Sequence, residues 1–128
     1  MINFNLKPYE WRIQMDIIME NVDLKNIELS NAAVTFDLSN CHDGKPYKRI
    51  SCDNVWKISI NLIEDDFPIF IGDIRMQTLK DANIKQAFEM LHYNFEIPSA
   101  DNYCLLCIDG GEAEILAICE KIEIVELN

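Results

Sequence analysis

Apolar and polar side chains alternate with a period of two along much of the chain, which is typical of half-buried β-strands. The alternation predicts strands over residues 11–19, 32–39, 56–62 and 68–78. Residues 47–52 are an extended lead-in to the third of these strands. Because polar side chains occupy every second position, we expect each strand to have one face exposed to solvent.

A Gly-Gly pair at 110–111 separates two further apolar runs, 103–109 and 112–125. A two-residue glycine connection favours a tight hairpin, and that geometry places Ile108 opposite Ala113. Within these runs, residues 103–108 and 115–119 are apolar on both faces, so we expect them in the centre of the sheet. The apolar phase of the fourth strand changes at Gly72, which predicts a β-bulge or a bend there.

One segment has helical periodicity. Ile84, Ala87, Phe88 and Leu91 follow the i, i+3, i+4, i+7 spacing of a single buried stripe. The pattern therefore predicts an α+β fold, in which a curved and mainly antiparallel β-sheet of about six strands accompanies one main α-helix near residues 80–93.

The composition is that of one globular domain, which we expect to span residues 1–128. Hydrophobic residues make up 49% of the chain and charged residues 26%. The formal net charge is -11, and residues 86–128 contribute nine acids and one base. Such a charge disfavours binding to nucleic acid or to anionic membranes and favours a basic protein partner.

The cysteines and the loop chemistry do not form a catalytic motif. Five cysteines and no secretion signal indicate reduced thiols in a cytoplasmic protein. Cys104 and Cys107 have C-x-x-C spacing, but in a strand the two side chains point to opposite faces. The adjacent residues Cys41, His42 and Asp43 are explained by a turn rather than by a nucleophile and its base. The sequence predicts no enzymatic activity, no catalytic residue, no cofactor and no bound metal.

Acidic residues are concentrated in the two predicted turns at 62–68 and 109–114. If the turns are neighbours, they form a negative rim that could bind a basic protein, although solvated loops would explain the same charges. The oligomeric state is left open. The candidate partner-binding residues are Glu64, Asp65, Asp66, Asp109, Glu112 and Glu114.

Three segments, Asn31–Leu38, Asp53–Ile60 and Asp66–Asp73, resemble the small acidic immunity proteins of bacterial toxin systems, including contact-dependent growth inhibition. The resemblance implies a non-enzymatic cytosolic inhibitor that binds and neutralises a cognate, basic, nuclease-type toxin domain. Two alternatives stay open. One is a nucleic-acid mimic of the anti-restriction type, and the other is a small ligand-binding barrel or enzyme that uses the curved sheet as a pocket.

Overall fold

The computed structural model describes residues 6–63, 66–79, 87 and 103–127, and there it shows six antiparallel strands closed into a barrel. The elements are α1 (Pro8–Arg12), β1 (Asp16–Ser30), β2 (Ala33–Asn40), β3 (Pro46–Leu62), β4 (Ile69–Leu79), β5 (Tyr103–Asp109) and β6 (Ala113–Glu126). Around the barrel the order is β1-β2-β3-β6-β5-β4, and β4 pairs with β1 to close it. The predicted antiparallel sheet of about six strands is confirmed.

Apolar side chains from all six strands fill the barrel interior. Closure gives each strand two neighbours, although residues 25–30 of β1 and 120–126 of β6 extend beyond their pairing with β4 and β5. The period-two pattern places one face of each strand inward. One buried residue from each strand in turn is Leu24, Phe36, Ile50, Ile71, Leu106 and Ile115. The interior is therefore a packed core in the part of the chain that the structure describes.

A second apolar cluster, which we call the outer layer, covers the outward face of β5 and β6. Leu105 and Cys107 of β5 and Ile118 of β6 pack there beneath Trp11 and Met15. The prediction that residues 103–108 and 115–119 are buried on both faces is confirmed. The reason is that one face meets the barrel core and the other meets the segment containing α1.

The strand predicted over residues 11–19 is wrong at both ends, because β1 begins at Asp16 and continues to Ser30. The chain forms α1 and a turn before β1 begins at Asp16. A proline in the first helical turn suits a helix start. Trp11 and Met15 are buried four residues apart, whereas Ile13 is 68% exposed. The apparent alternation therefore comes from Trp11 in α1 and Met15 in the following turn, which are both buried, with the exposed Ile13 between them.

The change in the phase of the apolar residues that was predicted at Gly72 is present in β4. The facing part of β1 changes phase as well. Met19 and Val22 of β1 lie opposite Ile74 and Ile71 of β4, and all four side chains are buried. Buried residues three apart require both strands to bend between them. A methyl group on Gly72 would collide with the carbonyl oxygen of Gly110. The glycine is thus explained by the close approach of the β5–β6 turn.

The predicted lead-in 47–52 and strand 56–62 are one continuous strand, β3. Its pairing with β6 shifts between Val55 and Lys57, and Asn54 has a positive φ of 52°. The extra residue of this bulge moves Trp56 out of the inward row, so its side chain is 37% exposed. The prediction that Trp56 shares a face with Ile58 is therefore wrong.

The predicted β5–β6 register is wrong by two residues, because Ile108 pairs with Ile115 and not with Ala113. The backbone N–H of Glu112 donates to the Phe70 carbonyl at 3.1 Å, and the Ile63 N–H donates to the Glu112 carbonyl at 2.7 Å. These bonds draw Glu112 out of the hairpin and lengthen the turn. A shift of two keeps every side chain on its predicted face.

The helix predicted near residues 80–93 lies outside the described residues except for Ala87, which is helical and 2% exposed. Ala87 packs in the outer layer. Elsewhere in the described ranges, α-helix is limited to the five residues of α1. Within those ranges no helix is long and apolar enough to cross a membrane.

Candidate functional site

The β3–β4 connection and the β5–β6 turn lie side by side at one end of the barrel. The two backbone hydrogen bonds of Glu112 join this turn to Ile63 and to Phe70. The backbone of Gly110 packs directly against Gly72. The two turns that the sequence marks as acidic are therefore neighbours. We call this part of the surface, residues 63, 66–70 and 109–114, the acidic end.

Four of the six predicted partner-binding residues lie at the acidic end. Asp66 is exposed in the β3–β4 connection, whereas Asp109, Glu112 and Glu114 are partly exposed in or beside the β5–β6 turn. Glu64 and Asp65 lie outside the described residues. The structure thus brings together carboxylates that are more than forty positions apart in the sequence.

Arg12 binds two of these carboxylates. Its Nη1 donates to Asp109 Oδ2 at 3.0 Å and its Nη2 donates to Glu114 Oε1 at 2.8 Å. The Arg12 side chain is only 12% exposed. Burial alone would lower the pKa of Arg12, but the hydrogen bonds and charges of Glu114 and Asp109 raise it overall. Asp109 and Glu114 are therefore held in place and partly neutralised.

A second arginine extends this network towards α1. Arg75 Nε lies 3.4 Å from Asp73 Oδ1, and Asp73 is directly opposite Asp109 in the β4–β5 register. The Arg75 Nη1 group donates to the carbonyl oxygens of Ile13 at 3.1 Å and Met15 at 3.4 Å. The guanidinium thus fixes the segment after α1 to β4 and offsets the repulsion between the paired aspartates.

Asp66 and Glu112 differ from the arginine-bound acids of the acidic end. In the described part of the chain neither side chain has an ion pair. Among the described residues, no internal base therefore offsets their charges. Sequence reasoning selected both residues but could not separate them from Asp109 and Glu114, because nothing in the local pattern links Arg12 to positions about a hundred residues away.

Large apolar side chains are exposed among these charges. Ile63 is 79% exposed, Phe67 40% and Phe70 39%. Exposed aromatic residues beside a polar rim are characteristic of protein-binding surfaces. Sequence reasoning missed all three. The available signals were a phenylalanine within an acidic turn and a phenylalanine on the polar face of β4, between the buried Ile69 and Ile71.

The thiols lack the features of a catalytic pair. Cys104 packs against the barrel interior and Cys107 lies in the outer layer, which confirms that they face opposite sides of β5. Burial raises the pKa of Cys107 to about 12 and also raises that of Cys104. A protonated thiol is a weak nucleophile and a weak metal ligand. Among the described residues no histidine, cysteine or acid cluster has the arrangement of a metal site.

The loop at 41–43 is held by turn hydrogen bonds, as its sequence predicts. The His42 N–H donates to Asn40 Oδ1 at 3.1 Å, and the Lys45 N–H donates to Asp43 Oδ1 at 2.9 Å. The Cys41 thiol lies 3.2 Å from the Asn21 carbonyl oxygen. These contacts account for the polar groups of the loop structurally.

Comparison with known proteins places the chain in a family. A family model matches residues 17–126, which include all six strands apart from the first residue of β1. The chain belongs to this family. The family is uncharacterised, and the description of its model names no activity or partner. No curated protein matches the sequence.

A solved structure shares the fold. It is the crystal structure of an uncharacterized protein from Neisseria gonorrhoeae, with a TM-score of 0.59 and 20% sequence identity. The match covers 88% of this chain and 97% of that one. At this identity the likeness shows the common architecture alone.

Proposed function

We propose that the chain is a non-enzymatic, cytoplasmic immunity protein that binds and neutralises a cognate basic toxin domain of the nuclease type. The observation that carries the proposal is the composition of the acidic end. There the exposed side chains of Phe67, Phe70 and Ile63 lie beside the carboxylates of Asp66 and Glu112, which form no ion pair with another described residue. Such a surface offers apolar anchors surrounded by negatively charged side chains.

The two components of the acidic end have different physical roles. Desolvated aromatic anchors supply most of the binding free energy in protein interfaces and mainly slow dissociation. Rim charges of one sign accelerate the encounter with an oppositely charged partner. A basic toxin would therefore be attracted by the net charge of -11 and retained by Phe67 and Phe70.

The pairing of Asp109 and Glu114 with Arg12 gives less support to a nucleic-acid mimic. A mimic would present unpaired carboxylates at phosphate-like intervals, whereas these two acids are bound by an arginine of the same chain. The packed interior likewise gives less support to a ligand site inside the barrel. Neither alternative accounts for exposed phenylalanines beside the charges.

The test begins with toxin-domain genes adjacent to the gene for this chain. Co-expression of such a toxin with this chain should restore growth, and the purified pair should form a complex. A triple variant, Asp65→Lys, Asp66→Lys and Glu112→Lys, should slow association several-fold, and the effect should shrink at high salt because the Debye length is short. Phe67→Ala should instead accelerate dissociation.

A matched control separates local contacts from net charge. Three exposed acids of β1, which form no hydrogen bond or ion pair with another described side chain, give the same change in total charge when replaced by lysine: Asp16, Glu20 and Glu28. This control should slow association much less than the triple variant at the acidic end. Equal effects would contradict the site, and turnover of a substrate by the purified chain alone would contradict the proposed function.

We also propose the predicted helix near residues 80–93 as the remaining cover of the outer layer. The support is the helical state and burial of Ala87, together with its place in the apolar stripe. Leu79, at the end of β4, and Tyr103, at the start of β5, are buried in the same cluster.

A further inference from the structure

A second surface feature lies away from the acidic end, where the β1–β2 turn meets the bulge of β3. An open pocket of about 290 Å³ is lined by Ala32, Asn54, Val55, Trp56 and Glu120. This volume is at the lower limit for small-molecule sites and suits a group the size of one long side chain. None of these residues belongs to the surface proposed to bind a toxin.

The pocket is shaped by the backbone. The Val55 N–H donates to the Ala32 carbonyl at 2.6 Å, which joins the β1–β2 turn to β3. The positive φ of Asn54 and the following register shift turn Trp56 outward. The exposed indole is therefore fixed as a wall of the pocket by the strand geometry.

The polar groups of the pocket are mainly acceptors. Asn54 Nδ2 donates to Glu120 Oε2 at 2.7 Å, which orients the carboxylate. The other carboxylate oxygen of Glu120 and the amide oxygen of Asn54 remain as acceptors. In the described residues no base forms an ion pair with Glu120 and no cation lies over the Trp56 ring. The pocket thus combines an aromatic face with a negative charge.

A pocket at the opposite end of the β1–β2 hairpin contains an aromatic ring that already has a cation beside it. It is lined in part by Glu20, Asn21 and Tyr47. There the Lys48 Nζ lies 4.9 Å from the centroid of the Tyr47 ring. That aromatic face is already occupied by an internal cation, whereas the Trp56 face is open.

We propose that the Trp56 pocket binds a guanidinium group. A guanidinium is planar, stacks on tryptophan and pairs with a carboxylate through its fork of N–H donors. Lysine ammonium shares the charge but not the plane, so it should bind more weakly. The group can come from a free guanidinium compound or from an arginine side chain of a polypeptide, and the experiment includes both sources. The proposal does not depend on the toxin-binding function.

The experiment follows the two indole N–H signals by nuclear magnetic resonance. The probes are blocked arginine (N-acetyl-arginine methylamide), the equivalent blocked lysine, and blocked citrulline as a neutral analogue of the same shape. Blocked arginine at millimolar concentration should shift the Trp56 signal saturably and leave that of buried Trp11 unchanged. Citrulline should cause no shift, because it lacks the charge.

Two variants localise the effect. Glu120→Gln keeps the shape of the pocket and should weaken arginine binding roughly two- to fivefold, as expected for loss of one exposed charge pair with stacking retained. Glu20→Gln, the matched control in the occupied pocket, should leave the affinity unchanged. Equal binding of citrulline, an unaffected Glu120→Gln variant or an unshifted Trp56 signal would each overturn the proposal.

A Gly-Gly-Arg-Gly-Gly peptide distinguishes the two sources of the guanidinium group, a free compound and an arginine side chain of a polypeptide. If blocked arginine and the peptide bind equally, the pocket recognises the guanidinium group alone, as a free metabolite would require. If the peptide binds more tightly, flanking backbone contributes and the ligand is a polypeptide. Both results support guanidinium recognition, and failure of both probes overturns it without bearing on the acidic end.

Discussion

Replacing Ala32 by glycine should stabilise the protein. Asn31 and Ala32 form the two-residue turn between β1 and β2, since Ser30 pairs directly with Ala33. Their φ angles are 42° and 65°, so both adopt the positive φ of a type I′ turn. Asparagine tolerates this conformation, but alanine has a Cβ that opposes it. Asn-Gly is the preferred sequence for such a turn.

The expected gain is the difference between two effects. Relieving a left-handed alanine is worth about 1–2 kcal/mol. Glycine offsets about 0.4–1 kcal/mol of this gain, because it increases the conformational entropy of the unfolded chain. Ala32 is exposed, so the loss of its methyl group removes little buried area. The net stabilisation should be about 0.5–1 kcal/mol, or roughly 2–5 °C in melting temperature.

Urea denaturation measures this difference directly. Ala32→Gly should raise the midpoint and leave the m-value unchanged. Gly44→Ala is the control of opposite sign, because Gly44 has a φ of 74° and an added Cβ there would meet no atom within 4 Å. It should lose stability through backbone strain alone. A midpoint for Ala32→Gly at or below that of the wild type would refute the type I′ geometry.

Three further predictions test the packing. Gly72→Ala should strongly reduce the yield of folded protein or its melting temperature, because the new methyl group meets the backbone of Gly110; a wild-type melting curve would exclude this close approach. Phe88→Ala should cost about 3–5 kcal/mol if the helix predicted around Ala87 is seated on the outer layer, and an unchanged urea midpoint would show that the stripe is not buried. The thiol of Cys107 has its pKa raised from near 9 to about 12 by burial. Above pH 9 the unfolded chain therefore loses this proton first, so the free energy of unfolding should fall as the pH rises towards 12. Cys107→Ala should flatten that slope, and an identical slope in the variant would contradict the shift.

The strands could be predicted from the sequence where the period of two is unbroken. β2 and β4 begin and end within one or two residues of their predicted limits. Prediction failed where the phase changes without a glycine or proline. Asn21 and Asn54 adopt positive φ within long strands, and the sequence does not distinguish an asparagine that bends a strand from one that continues it.

Of the candidate site, only the acidic residues could be predicted from the sequence. The adjacency of the two acidic turns could be stated only as a condition, because β3 and β4 are separated in the barrel by the β5–β6 hairpin, which brings its turn beside their connection. The ion pairs of Arg12 were not accessible from the sequence, because they depend on α1 folding back across β5 and β6, and the period-two pattern had placed Arg12 on a strand. The exposure of Phe67 was also inaccessible, since apolar residues are expected inside.

The acidic end and the Trp56 pocket are separable in their effects. Glu114 and Glu120 both lie on the outward face of β6, roughly 20 Å apart at the usual rise per residue. Between them, Leu116 and Ile118 are covered by the outer layer. A partner of standard interface size, roughly 30 Å across, could reach both sites only by bridging over that layer. Glu120→Gln should therefore leave toxin association unchanged while it weakens guanidinium binding, and the triple lysine variant should do the reverse. If instead both variants slowed toxin association and blocked arginine competed with the toxin, one basic partner would occupy both sites, with an arginine side chain in the Trp56 pocket.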